Sequence, residues 1–121
     1  MPINSERLAH TFEALVQSDS VSRAEGRFAG QLQARLEALG VATLFDRSAP
    51  LTGSDTGNLV GRRAGAIDKA PLLFSAHMDT VQPGVGIRPV FEDGIFRSAG
   101  DTILGADDKS AIAILLEAIE V

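Results

Sequence analysis

Apolar residues recur at helical spacing near the start of the chain. Leu8, Phe12, Leu15 and Val16 fall on one face of an ideal helix, which predicts an amphipathic helix over 4–17. Asn4 or Ser5 can cap its first turn, and Ser18-Asp19-Ser20 breaks the pattern. Ser22 then opens Ser-Arg-Ala-Glu, the capping-box spacing, with Glu25 three residues on. The second helix carries Phe28, Leu32, Leu36 and Leu39 on one face, and Gly40 is a natural stop just past its end.

The period then changes. Residues 41–46 are β-rich, 47–57 hold the Pro, Ser, Thr, Gly and Asp of a loop, and 58–62 read as a short strand. Residues 64–70 form a polar connection. The compact apolar run at 72–76, Leu-Leu-Phe-Ser-Ala, suits a strand covered on both faces. Segments 87–91 and 95–98 flank Glu92-Asp93-Gly94, and an Asp-Gly turn between such segments predicts a hairpin. Residues 110–121 are apolar nearly all round until Glu117, which predicts a buried helix. Two helices, then strands, then a helix make an α/β chain with a mixed sheet flanked by helices.

Composition narrows the chemistry. At 121 residues with 45% hydrophobic and 22% charged positions, the chain has the size and balance of one small globular domain. It has no Cys, so disulfides, thiolate metal sites and thiol catalysis are excluded. The two His, His10 and His77, limit any imidazole ligation to two side chains. A net charge of -5 without a basic run argues against a nucleic-acid or anionic-membrane partner. No stretch resembles a signal peptide or a membrane span, and the default expectation is a cytoplasmic protein.

Two constellations can carry chemistry. His77-Met78-Asp79 follows the 72–76 run, and in extended chain His77 and Asp79 lie on one side. A carboxylate behind an imidazole fixes its tautomer and makes the other ring nitrogen a better metal ligand. Alone, His-x-Asp is common by chance. Asp107-Asp108 then places two adjacent carboxylates before the last helix. Helix capping accounts for one of them, and a carboxylate there can also bridge two divalent cations. His10 points away from the apolar face of its helix and reads as a surface side chain. Lys109 reads as surface helix charge, and Arg62, Arg63, Arg88 and Arg97 as solvated charge.

Taken together, FSAHMDTVQPGVGIRPVFEDGIFRSAGDTILGADDKSAIAILLEAI, preceded by LVQSDSVSRAEGRFAGQLQARLEALG and GNLVG, closely resembles the peptidase T-like branch of the dizinc metallopeptidases. Wider relatives are carboxypeptidase G-type and acetylornithine deacetylase-type enzymes. The resemblance covers essentially the whole chain. It implies that His77 is a zinc ligand and Asp107 the carboxylate bridging two zincs. Asp79, the one residue assigned to the catalytic machinery, is the aspartate that clamps the His77 ring. It also implies a cis peptide between Asp107 and Asp108.

The same resemblance makes 1–121 the N-terminal portion of the catalytic domain, without the lid that commonly mediates dimerisation. The family's Glu-Glu pair, later carboxylate and second histidine have no matching positions, and Glu117 and Glu120 stand elsewhere. The implied function is zinc-dependent hydrolysis of short peptides, with this chain alone inactive. Two alternatives stay open: a non-catalytic fragment that self-associates or binds a partner, and a deacylase on the same metal framework.

Overall fold

The first helix forms as α1 (Ser5–Val16), capped by Asn4, whose side chain accepts a hydrogen bond from Arg7 N. That bond satisfies one of the backbone donors every helix leaves free at its start. The computed structural model describes residues 2–121.

The second helix, α2 (Gly26–Ala38), begins differently from its sequence signature. The Ser22–Glu25 capping box does not form. Glu25 instead accepts from Arg23 N at 2.9 Å and from Ser54 Oγ at 2.7 Å. The helix start is served from a distant loop, where Asp55 Oδ1 accepts from Gly26 N at 2.8 Å. An anion is favoured at that end of the helix dipole. Glycine admits it, because a Cβ at Gly26 would lie 2.9 Å from the carboxylate. Ser22 is left free for another partner.

The strands β1 (Ala42–Phe45) and β2 (Leu59–Arg62) pair antiparallel, Ala42 opposite Arg62 and Phe45 opposite Leu59. The predicted loop between them contains one helical turn, α3 (Ala49–Thr52). Asp46 closes this loop by accepting from the backbone N–H groups of Ser48 and Asn58. The predicted hairpin forms from β3 (Pro89–Glu92) and β4 (Ile95–Ser98), with Glu92 opposite Ile95. Asp93 and Gly94 both have positive φ, 52° and 77°, as a two-residue type I′ turn requires. The last helix is α4 (Ala106–Glu120).

The α/β class holds, but the strands form two separate antiparallel pairs rather than one mixed sheet. The run at 72–76 is not a strand. Residues 70–79 make no backbone–backbone hydrogen bond among the described residues, and Leu72, Leu73 and Phe74 are 81%, 94% and 65% exposed. A strand is defined by its ladder, and among the described residues no segment pairs with this one.

The core joins α1, α2 and α4 through Phe12, Leu15, Val16, Phe28, Leu32, Ile112, Ala113 and Leu116. Phe96 of β4 closes one side, its ring edge-on to Phe12 with centroids 4.9 Å apart. The expectation of a helix buried all round is corrected for α4. It buries one face against α1, and Ile114 on the other stays exposed. No helix is long and apolar enough to cross a membrane among the described residues.

Candidate metal centre

The segment carrying His77 is held at its C-terminal end by the α1–α2 connection. Thr80 N donates to Ser20 O at 2.9 Å and Ser22 N donates to Thr80 O at 3.1 Å, a parallel bridge centred on Val21 and Thr80. Ser22 Oγ adds a long bond to Thr80 O at 3.5 Å, while the side-chain hydroxyls of Ser20 and Thr80 are buried without a partner among the described residues. Ala76 and Met78 pack on the core, which turns the alternate residue His77 outward.

His77 and Asp107 converge although they are 30 residues apart: His77 Nε2 lies 3.0 Å from Asp107 Oδ1. On the other side of the ring, Nδ1 lies 3.1 Å from Asp79 Oδ1 and 3.0 Å from the Asp79 carbonyl oxygen. Asp79 Oδ2 accepts in turn from Ser22 Oγ at 2.5 Å. The order is therefore Ser22, Asp79, His77, Asp107. The His77 and Asp107 side chains are 51% and 95% exposed.

Carboxylates on two sides of the ring raise the His77 pKa, Asp107 contributing most, against a lowering from partial burial. Asp79 is held below the usual carboxylate range, chiefly by the Ser22 hydroxyl and then by His77, against desolvation. The surroundings of Nε2 thus favour positive charge. A ring nitrogen and a carboxylate oxygen are also donors suited to zinc. The fit is partial, because no group of three or more His, Asp or Glu side chains able to hold a metal ion occurs among the described residues.

Asp107 is presented by an irregular start of α4. Gly105 precedes it with φ 76°, Asp107 and Asp108 have non-helical dihedrals, and the peptide between them is cis, as the resemblance implied. Regular helix follows from Lys109.

Lys109 is not surface charge. It is fully buried, its Nζ donating to Ser18 O at 2.6 Å and standing 4.7 Å from the centroid of the Phe28 ring. Burial pushes its pKa down to about 8, opposed by the charge of Asp19. The start of α4 is thereby tied to the same connection that straps Thr80.

Other side chains stay outside the site. His10 is exposed, as expected. Glu117 is buried and bound by Arg7 Nε at 2.7 Å and by Asn4 N at 2.8 Å, which closes α1 onto α4. Arg63, read as solvated, donates to Ile119 O at 2.6 Å near the end of α4. Sequence reasoning missed Ser22 in the site because its spacing to Glu25 advertised a cap.

The chain is 42% identical to aminopeptidase PepT from Bacillus cereus, with a TM-score of 0.93 over 97% of this chain and 32% of that one. A tripeptidase from Staphylococcus aureus is 38% identical, with a TM-score of 0.94 over 98% of this chain and 32% of that one. Nearly the whole chain is thus similar to about a third of each of two peptidase T-type proteins. Succinyl-diaminopimelate desuccinylase from Erythrobacter litoralis is 34% identical over 87% of this chain and 29% of the desuccinylase. The chain thus spans about a third of the length of the proteins it matches. No family model matches it. The printed names of these relatives are those of an aminopeptidase, a tripeptidase and a desuccinylase.

Proposed function

We propose that this chain carries part of the metal centre of a zinc-dependent peptidase acting on short peptides in the cytoplasm. The observation that supports it is the meeting of His77 Nε2 and Asp107 Oδ1 at 3.0 Å, with Nδ1 of the same ring on Asp79. In this reading His77 and Asp107 would hold the metal and Asp79 holds the His77 ring. When bound, zinc would supply Lewis acidity and lower the pKa of a coordinated water to near neutral. Two ligand side chains do not complete a zinc shell, which takes three or four. The chain alone is therefore proposed to bind zinc weakly and to hydrolyse nothing.

Zinc titration by calorimetry tests the site. Binding should disappear in His77→Ala and Asp107→Ala. Zinc binding unchanged by both substitutions would refute the assignment. Chelator-sensitive release of amino acids from a tripeptide by the chain alone would refute its proposed inactivity.

Two other readings each have an observation behind them. The desuccinylase similarity favours amide hydrolysis of an acylated amino acid, and assaying an N-succinyl substrate beside a tripeptide in the whole protein separates the two. The exposed Leu72, Leu73 and Phe74, with unpaired backbone, favour self-association. Light scattering of the chain at rising concentration tests that.

A further inference from the structure

We propose that Ser22 is a positioning residue of the metal centre: its hydroxyl fixes the Asp79 carboxylate, which keeps the His77 proton on Nδ1 and leaves Nε2 free for a cation. The inference rests on the metal-centre reading above and deepens it.

Ser22 lies 57 residues from Asp79 and outside the His-x-Asp segment, yet its Oγ is 2.5 Å from Asp79 Oδ2. Its position is not left to a flexible loop. Ser22 N donates to Thr80 O at 3.1 Å, and Ser20 O accepts from Thr80 N at 2.9 Å, so the serine backbone is tied to the residue following Asp79. The capping partner that its sequence suggests is absent, since Glu25 accepts from Arg23 N and Ser54 Oγ instead. The Ser22 side chain is directed at the site.

An ionised carboxylate only accepts hydrogen bonds, and a hydroxyl donates one. With Oδ2 held by Ser22, the plane of the Asp79 carboxylate is set and Oδ1 faces His77 Nδ1 at 3.1 Å. The Nδ1 proton is shared with the Asp79 carbonyl at 3.0 Å. That carbonyl is neutral, and a hydrogen bond to a charged acceptor is roughly twice as strong. Asp79 is partly exposed, so without the serine water competes for both carboxylate oxygens. The ring can then place its proton on Nε2, where it blocks a metal ion.

The test compares wild type with Ser22→Ala and with the isosteric pair Ser22→Thr and Ser22→Val. The pair repeats the comparison at constant shape should the alanine variant fold poorly. The first readout needs no metal: 15N NMR of the His77 ring at alkaline pH, where the ring is neutral, with wild type and every Ser22 variant compared in an Asp107→Ala background, so that the carboxylate 3.0 Å from Nε2 no longer draws the proton there. Wild type and Ser22→Thr should show the proton on Nδ1, and Ser22→Ala and Ser22→Val a raised Nε2–H fraction. The second is zinc affinity, expected to fall about tenfold in Ala and Val, at the low end for loss of a group behind a ligand, and to be kept in Thr. Unchanged ring signals in Ala and Val overturn the role of Ser22. So does zinc affinity within about twofold of wild type in variants where His77→Ala abolishes binding. If the wild-type chain binds no zinc, the metal-centre reading fails, and the ring signals alone still decide whether Ser22 orients Asp79.

Discussion

Phe28 and Lys109 are the joint between the core and the candidate site, and their coupling can be measured. Phe28 on α2 is 1% exposed, and the Lys109 ammonium at the start of α4 stands 4.7 Å from its ring centroid. Burying an aromatic side chain of roughly 150–250 Å² at about 25 cal/mol per Å² contributes at most about 4–6 kcal/mol. Phe28→Ala is therefore expected to cost about 3–5 kcal/mol, the range for large-to-small core substitutions. Phe28→Leu keeps most of the apolar volume and removes the π face. Lys109→Met keeps the length of the stem but removes the charge and the donor to Ser18 O, and should cost about 1–3 kcal/mol for the carbonyl left unpaired, offset in part by the desolvation cost that the ammonium no longer carries. The cycle of Phe28→Leu, Lys109→Met and the double variant isolates the cation–ring term, expected at about 1–2 kcal/mol for a desolvated ammonium. The chain has no Trp or Tyr, so urea unfolding should be followed by far-UV circular dichroism rather than fluorescence. A coupling within about 0.5 kcal/mol of zero, the scatter of independent sites, would refute the claim that the ring holds the ammonium.

Three further outcomes follow from particular contacts. Glu117 is held below the usual carboxylate range, first by the Arg7 hydrogen bond and then by Asn4 N. Its stabilising contribution is therefore present above the pKa it has in the unfolded chain and is lost as pH falls through its folded value; Glu117→Gln should flatten that acid limb of a stability–pH curve, and an unchanged limb would refute the assignment. Gly94→Ala should cost about 1–2 kcal/mol because φ is 77° there although the space is open, and thermal melting of the variant measures it. Gly57→Ala should destabilise strongly, since a Cβ there would lie 2.4 Å from the Asp46 carbonyl oxygen, and a chain that melts like wild type would show that β1 and β2 can separate without cost.

Much of the local structure was legible in the sequence. Leu8, Phe12, Leu15 and Val16 mark α1, Asn4 caps it, and Asp93-Gly94 makes the hairpin turn, because each depends on neighbours within a few residues. The motif residues His77, Asp79 and Asp107 were legible by resemblance, and folding brings them together. Three features were decided only by tertiary structure. The apolar run at 72–76 is no strand, because a ladder needs a second segment alongside and none pairs with it among the described residues. Lys109 is buried, because a distant carbonyl and the Phe28 ring happen to meet at its ammonium. Ser22 faces Asp79 rather than capping α2, because Asp55 arrives from a later loop to serve the helix start. Periodicity and turn chemistry act over a few bonds and can be read in one dimension. Burial of a charge and the partner of a hydroxyl depend on which remote segments share a surface, and only the folded chain determines that.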